Sequence, residues 1–309
     1  MKKETLQIMP FSSRSPIGSF PRFWKVGVLG MALLVGVVLE VPAQQRPQEP
    51  LGERIIYKTV DGKDLSLYVL QPSQPAVTPH AAIIFFHGGG WVGGPTAQFN
   101  YQARYLAARG MAAIQVEYRL IGAHGTPQVC VEDAKSSVRW VRAHAKSLHI
   151  DPDKIAESGG SAGGYLAAFA AMVPGWDDPG DNLQISPRAN LLVLFNPVID
   201  NSPSGFGYAR FGADYNKYSP FFYASAHTPP TLILSGSADR LIHATALQTF
   251  KQSLDKAGVH AKLILYPNVG HGFFNREPYL TQTTQAMADF LHEYGYLENN
   301  SKATEAQSR

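Results

Sequence analysis

The chain reads as an α/β domain, a mostly parallel sheet with helices on both faces, and two observations predict it. Short apolar runs of the kind found in buried parallel strands, at 82–86, 191–195, 231–235 and 262–266, alternate with helical stretches at 101–109, 129–145, 162–172 and 244–257. The segment Lys154 to Leu166 then leaves a strand, turns through glycines and enters a helix of small residues, with Ser161 at the apex of Gly159-x-Ser161-x-Gly163. The 309 residues suit one large domain behind a leader, and no internal repeat is visible.

The first 43 residues have the pattern of a secretory signal. Lys2, Lys3, Arg14, Arg22 and Lys25 precede an apolar run from Val26 to Leu39, and Val41-Pro42-Ala43 offers a small-residue cleavage site. The run is shorter than the roughly twenty residues that span a bilayer, so retention as an uncleaved anchor is the alternative reading. A periplasmic or secreted protein is expected, touching a membrane only through this segment if it is kept. Residues 44–54 read as a linker, 55–297 as the domain and 298–309 as a polar tail.

Of 27 basic and 24 acidic residues, five basic and two acidic ones lie in the leader, and the remainder balance. The formal charge of +3 therefore gives no reason to expect nucleic-acid binding. Cys130 is the sole cysteine, which excludes an internal disulfide and suggests a buried thiol in the helix at 129–145.

The domain opens on a strand pair, Ile55–Val60 and Asp64–Leu70. The buried strand at 82–86 runs directly into His87-Gly88-Gly89-Gly90-Trp91. Three successive glycines free the backbone of Cβ atoms, so its N–H groups can approach a ligand closely. His87 is expected to bond locally and hold this loop. Asp151-Pro152-Asp153 reads as a turn releasing a short strand into the serine turn.

A serine hydroxyl becomes a nucleophile only beside a base, an acid that orients the base, and donors for the developing oxyanion. One such donor is the N–H of the residue after the nucleophile, Ala162, and another comes from a loop after an earlier strand. With this kind of turn the partners follow in the order serine, acid, histidine. After Ser161 come His227, His243, His260, His271 and His292. Only His271 sits between glycines on a loop directly after a strand, so it is the expected base. Asp239, in Ser237-Ala238-Asp239 after the strand at 231–235, is the expected acid, with Asp200 as the rival and a helix N-cap as its alternative role.

Two longer loops flank these positions. The segment 174–190 holds Asp177, Asp178 and Asp181, which could ligate calcium but read more simply as a solvated turn. The segment 201–226 is rich in Tyr, Phe, Gly and Ser, suited to stacking on sugar rings or aromatic acyl groups or to packing underneath. Trp91, beside the glycine loop, is the expected lining of the acyl site.

Taken together, His87-Gly88-Gly89-Gly90-Trp91, Glu117-Tyr118-Arg119-Leu120, Val131-Glu132-Asp133-Ala134, Gly159 to Gly164, Ser237-Ala238-Asp239 and Gly270-His271-Gly272 resemble the hormone-sensitive-lipase-like and bacterial acetyl- or feruloyl-esterase-like branches of the α/β-hydrolase superfamily. The resemblance spans about residues 55–297. It implies a Ser161–Asp239–His271 triad, oxyanion donors at Gly89, Gly90 and Ala162, structural roles for Arg119 and Asp133, and no cofactor or metal. It further implies a carboxylesterase acting on a small-molecule or carbohydrate ester. The alternatives are a prolyl-oligopeptidase-like peptidase and an inactive hydrolase fold that binds a ligand. Little sequence precedes the first strands, so little or no cap domain is expected. Gly160 stands where many lipase-like members have Asp, which favours the carbohydrate-esterase branch. Glu157, on an expected buried strand, departs from the apolar pattern.

Overall fold

A computed structural model describes residues 48–73, 77–122 and 125–297. The expected leader at 1–43, residues 44–47 of the expected linker and the tail from 298 lie outside the described residues.

Eight strands form one sheet: β1 (Glu53–Val60), β2 (Lys63–Leu70), β3 (His80–Phe86), β4 (Ala112–Val116), β5 (Ile150–Gly160), β6 (Leu191–Phe195), β7 (Thr231–Gly236) and β8 (Ala261–Tyr266). Their order is β1-β2-β4-β3-β5-β6-β7-β8. β1 pairs antiparallel with β2 and β2 antiparallel with β4; every pairing from β4 to β8 is parallel. The helices that cover it are α1 (Asn100–Ala107), α2 (Gln128–Ala143), α3 (Ala162–Met172), α6 (Ala244–Lys256) and α7 (Tyr279–Glu293), while α4 (Tyr208–Phe211) and α5 (Tyr215–Tyr218) are single turns in the segment 201–226. This is the α/β-hydrolase arrangement, and β1 follows closely on the first described residues.

Side-chain alternation along the central strands divides the core into two layers. Ile84 and Phe86 of β3 pack with Leu166, Val138 and Phe250 on one face. Ile83 and Phe85 pack with Leu106, Phe99 and Phe290 on the other. Burying each such side chain contributes about 1.5–3 kcal/mol, so a sheet apolar on both faces must be covered twice.

One local expectation is revised. Asp151-Pro152-Asp153 is not a turn ahead of the strand but a bulge within β5. His80 pairs with Ile150 and Ala82 with Ile155, so the extra residues loop out. The Asp151 carboxylate accepts the N–H of Asp153 at 2.9 Å, a local bond that aspartate offers in place of a ladder partner.

The parallel topology brings the carboxyl ends of β3, β5, β6, β7 and β8 to one edge of the sheet. In open α/β sheets this is the edge at which ligands bind. Among the described residues no helix is long and apolar enough to cross a membrane.

Candidate active site

β5 ends at Gly160 and α3 begins at Ala162, leaving Ser161 in the connecting turn at φ 55°, ψ −116°. A non-glycine residue adopts this conformation only when its surroundings impose it. The flanking glycines explain how. A Cβ on Gly159 would lie 2.3 Å from the carbonyl carbon of Gly163, and one on Gly163 would lie 2.0 Å from the Phe86 carbonyl oxygen. The strand, the helix and the end of β3 thus meet in contact, and Ser161 is pushed to the apex.

The turn after β8 carries His271. Its Nε2 lies 2.9 Å from Ser161 Oγ and its Nδ1 lies 2.7 Å from Asp239 Oδ2. Asp239 follows β7, and its carboxyl is buried. Burial pushes that carboxyl up, but the hydrogen bond from His271 and those from the N–H groups of Ile242 and Leu241 outweigh it and hold Asp239 below the usual carboxylate range. Leu241 and Ile242 precede His243, the N-cap of α6, so Asp239 does not cap that helix. Asp200 instead accepts the N–H and hydroxyl of Ser202.

The glycine loop faces Ser161 from β3. Gly89 has φ 123°, and a Cβ there would meet the Gly93 carbonyl at 2.0 Å, so only glycine allows this close fold-back. Among the described residues the N–H groups of Gly89, Gly90 and Ala162 donate to no protein acceptor. His87 holds the loop from behind: its ring stacks on Tyr118, its Nδ1 pairs with the Gly88 carbonyl at 2.7 Å, and the Tyr118 hydroxyl donates to its backbone carbonyl. Arg119 and Asp133 belong to the same support. The buried Asp133 carboxylate accepts from the Arg119 side chain, the Arg119 N–H and Lys58.

These elements enclose a pocket of about 290 Å³. Phe206 and Leu241 are among its apolar lining residues, and Gln98 and Asn275 among its polar ones. Trp91 is not part of its lining, contrary to expectation. Its backbone sits at φ 65°, and its indole is fully buried in the core against Tyr165, Phe206 and Phe211. Most aromatics of the segment 201–226 are likewise packed inward, Tyr218 on Trp176 and Phe211 among them. Phe206 is the one that reaches the pocket wall.

The acidic loop is no solvated turn. Arg139 pairs with Asp177 at 2.5 Å and with Asp181 at 2.7 Å, while Asp178 pairs with Lys58 at 2.5 Å. Among the described residues no group of three His, Cys, Asp or Glu side chains is placed to hold a metal. Gly160 has a physical reason as well, because a Cβ there would lie 2.6 Å from the Phe274 ring. Cys130 donates its thiol to the Arg119 carbonyl, and burial pushes the thiol up to about 12. Glu157 takes a place in the apolar layer between Ile84 and Leu192, fully buried, with neither carboxyl oxygen hydrogen-bonded.

Three site residues escape a reading of the sequence. Asn196, directly after β6, accepts the Gly272 N–H and so holds the histidine loop. Gln98 accepts the Gly88 N–H at 2.6 Å and donates to Asn275, whose amide in turn donates to the Gly272 carbonyl. The one usable signal was for Asn196, a polar residue at the carboxyl end of a buried strand.

Known proteins align with this architecture. The BD-FAE family profile matches residues 67–203, and that of the dienelactone hydrolase family matches 211–301. An acetylxylan esterase of Xylanibacter ruminicola is 30% identical over 207 residues, 62% of this chain and 41% of its own length. Esterase LipC of Mycobacterium tuberculosis is 28% identical over 248 residues, 72% of this chain and 59% of its own. The chain thus spans about half the length of these two relatives. Among solved structures, the apo form of Thermogutta terrifontis esterase 2 superposes with a TM-score of 0.77 at 39% identity, covering 83% of this chain and 99% of that one.

Proposed function

The chain belongs to the carboxylesterases of the α/β-hydrolase superfamily, and from that premise we propose that it is an exported serine esterase removing short-chain or aromatic acyl groups, acetyl or feruloyl, from carbohydrates. The observation that carries this reading is the continuous hydrogen-bonded line from Ser161 through His271 to Asp239, facing three unpaired backbone N–H groups.

In the proposed reaction Ser161 Oγ attacks the ester carbonyl carbon while His271 Nε2 takes its proton. Asp239, ionised, keeps the other ring nitrogen protonated and stabilises the imidazolium. The carbonyl oxygen becomes negative and receives hydrogen bonds from Gly89, Gly90 and Ala162; one such donor is worth about 3–4 kcal/mol of barrier. Ala162 opens α3, so the positive end of that helix adds to the effect. The tetrahedral intermediate collapses, the C–O bond to the alcohol breaks, and His271 returns its proton to the departing oxygen. Water, deprotonated by His271, then hydrolyses the acyl-enzyme.

Phe206 and Leu241 are apolar lining residues of a small pocket, which supports a short or flat acyl group. The acetylxylan esterase relative supports a carbohydrate ester, and the basic and apolar segments before residue 44 support export. Export is read by whether the protein recovered outside the cytoplasm begins near Gln44.

Hydrolysis of p-nitrophenyl acetate tests the chemistry. The wild type should turn it over, and Ser161→Ala should lose at least about a thousandfold in kcat. Paraoxon, which phosphorylates the Thermogutta esterase, should inactivate the wild type at one site per chain. Absence of turnover, or a Ser161→Ala variant that keeps the rate, overturns the reading.

A further inference from the structure

A second, larger cleft of about 590 Å³ shares Gln98 and Asn275 with the lining of the catalytic pocket. The cleft runs along α1 and is bounded by Glu49, Asn100, Tyr101 and Arg104. Tyr101 is 42% exposed, with its hydroxyl 3.3 Å from Thr281 Oγ1. Among the described residues the side chains of Glu49 and Arg104 have neither a hydrogen bond nor an ion pair.

We propose that this cleft binds the alcohol half of the ester as a sugar ring. The inference rests on the esterase reading above and assigns the subsite that reading leaves open. Three features favour a sugar over a simple alkyl alcohol. An exposed aromatic ring offers a flat apolar face to the C–H face of a pyranose. Two neutral amides supply both donors and acceptors at the boundary of the reaction centre, where ring hydroxyls flank the ester oxygen. One free guanidinium and one free carboxylate can each share two hydrogen bonds with vicinal hydroxyls, and their opposite charges give no preference for an ionic ligand.

The position suits the chemistry too. Asn275 lies four residues after His271, and its amide is bonded to the Gly272 carbonyl, so an alcohol seated there leaves beside the imidazole that must return its proton. Phe206 and Leu241, which line the catalytic pocket but not the cleft, remain for the acyl group.

The test compares acetylated xylotetraose with p-nitrophenyl acetate and ethyl acetate for the wild type, Tyr101→Ala, Tyr101→Phe and Arg104→Ala. The wild type should prefer the acetylated sugar to ethyl acetate. Tyr101→Ala should raise KM for the sugar about fivefold or more relative to its effect on p-nitrophenyl acetate, with kcat for the sugar held within about twofold. Tyr101→Phe should restore most of that loss, because it keeps the ring. Arg104→Ala, an exposed change that spares the fold, should shift the same ratio in the same direction. The proposal is overturned if neither alanine variant shifts the ratio, or if the wild type cleaves p-nitrophenyl acetate but not the sugar ester; the esterase reading survives both. A wild type that cleaves none of the three overturns the esterase reading itself.

Discussion

The backbone N–H of Gly272 donates to the side-chain oxygen of Asn196 at 3.1 Å, so the end of β6 fixes the loop that carries His271. Asn196 is fully buried and sits at φ 34°, a conformation that asparagine tolerates better than most residues. It lines the catalytic pocket and holds the loop that presents the imidazole. Asn196→Ala should lower kcat about ten- to a hundredfold, the range expected when a reacting group drifts by an ångström or less, while KM stays within about twofold. Steady-state kinetics on p-nitrophenyl acetate decide it. An equal change in KM with kcat intact would assign Asn196 to substrate binding instead.

Asp239 fixes the His271 tautomer, and removing its charge should cost far more than removing its bulk. Asp239→Asn keeps the shape but presents an amide to Nδ1, and kcat should fall about 10⁴-fold. The carboxyl is held below its ordinary range in the folded protein, so its bonds stabilise the fold above the usual carboxylate range and are lost as pH falls through the lower folded value. The difference in Tm between wild type and Asp239→Asn should therefore be larger at pH 7 than at pH 3. A difference that does not change with pH would mean that the charge contributes nothing to folding.

Glu157 behaves in the opposite sense. Desolvation in the apolar layer pushes it well above the ordinary glutamate value, and Arg142 and Lys135 on α2 pull it partway back. The folded state therefore holds a proton that the unfolded chain has already released above about pH 4.5. The wild type therefore loses stability as pH rises above the ordinary glutamate range, by up to about 1.4 kcal/mol per pH unit for as long as the folded state keeps that proton. Glu157→Gln has no proton to hold, and its Tm relative to wild type should climb over the same rise in pH. Thermal melts at pH 5, 6, 7 and 8 read it, and a flat difference would mean that Glu157 stays charged against Lys135 and Arg142.

How much of this could be seen in the sequence depends on how local each feature is. The serine turn was legible because Gly159 and Gly163 stand at fixed spacing around Ser161, although the contact that demands Gly163 comes from Phe86 at the end of β3, and the His271 loop because glycines bracket it after a strand. The sheet was legible because β3, β6 and β7 are uninterrupted apolar runs. The direction of Trp91 was not, since adjacency to a glycine loop does not reveal whether the indole faces the pocket or the core. Gln98 and Asn275 stand 177 positions apart and meet only because β3 and β8 end at the same edge. The acidic loop was misread for a similar reason, as its cations come from β1 and α2. Glu157 broke the strand pattern without saying why; its setting supplies a physical consequence but not a purpose.

Phe206 decides how large an acyl group can enter. It lines the pocket and its ring rests on Trp91 at 5.8 Å, while Trp91 is braced from behind by Tyr165 and Phe211. Because that second layer is fully packed, removing Phe206 should open space rather than let the wall collapse inward. Phe206→Ala should therefore shift preference toward longer chains, and one or two added methylenes are worth roughly ten- to a hundredfold in such a pocket. The ratio of kcat/KM for p-nitrophenyl butyrate over p-nitrophenyl acetate should rise about tenfold or more. Trp91→Phe, one layer deeper, should lower Tm while moving that ratio much less. A larger change in the ratio from Trp91→Phe than from Phe206→Ala would return the acyl site to Trp91.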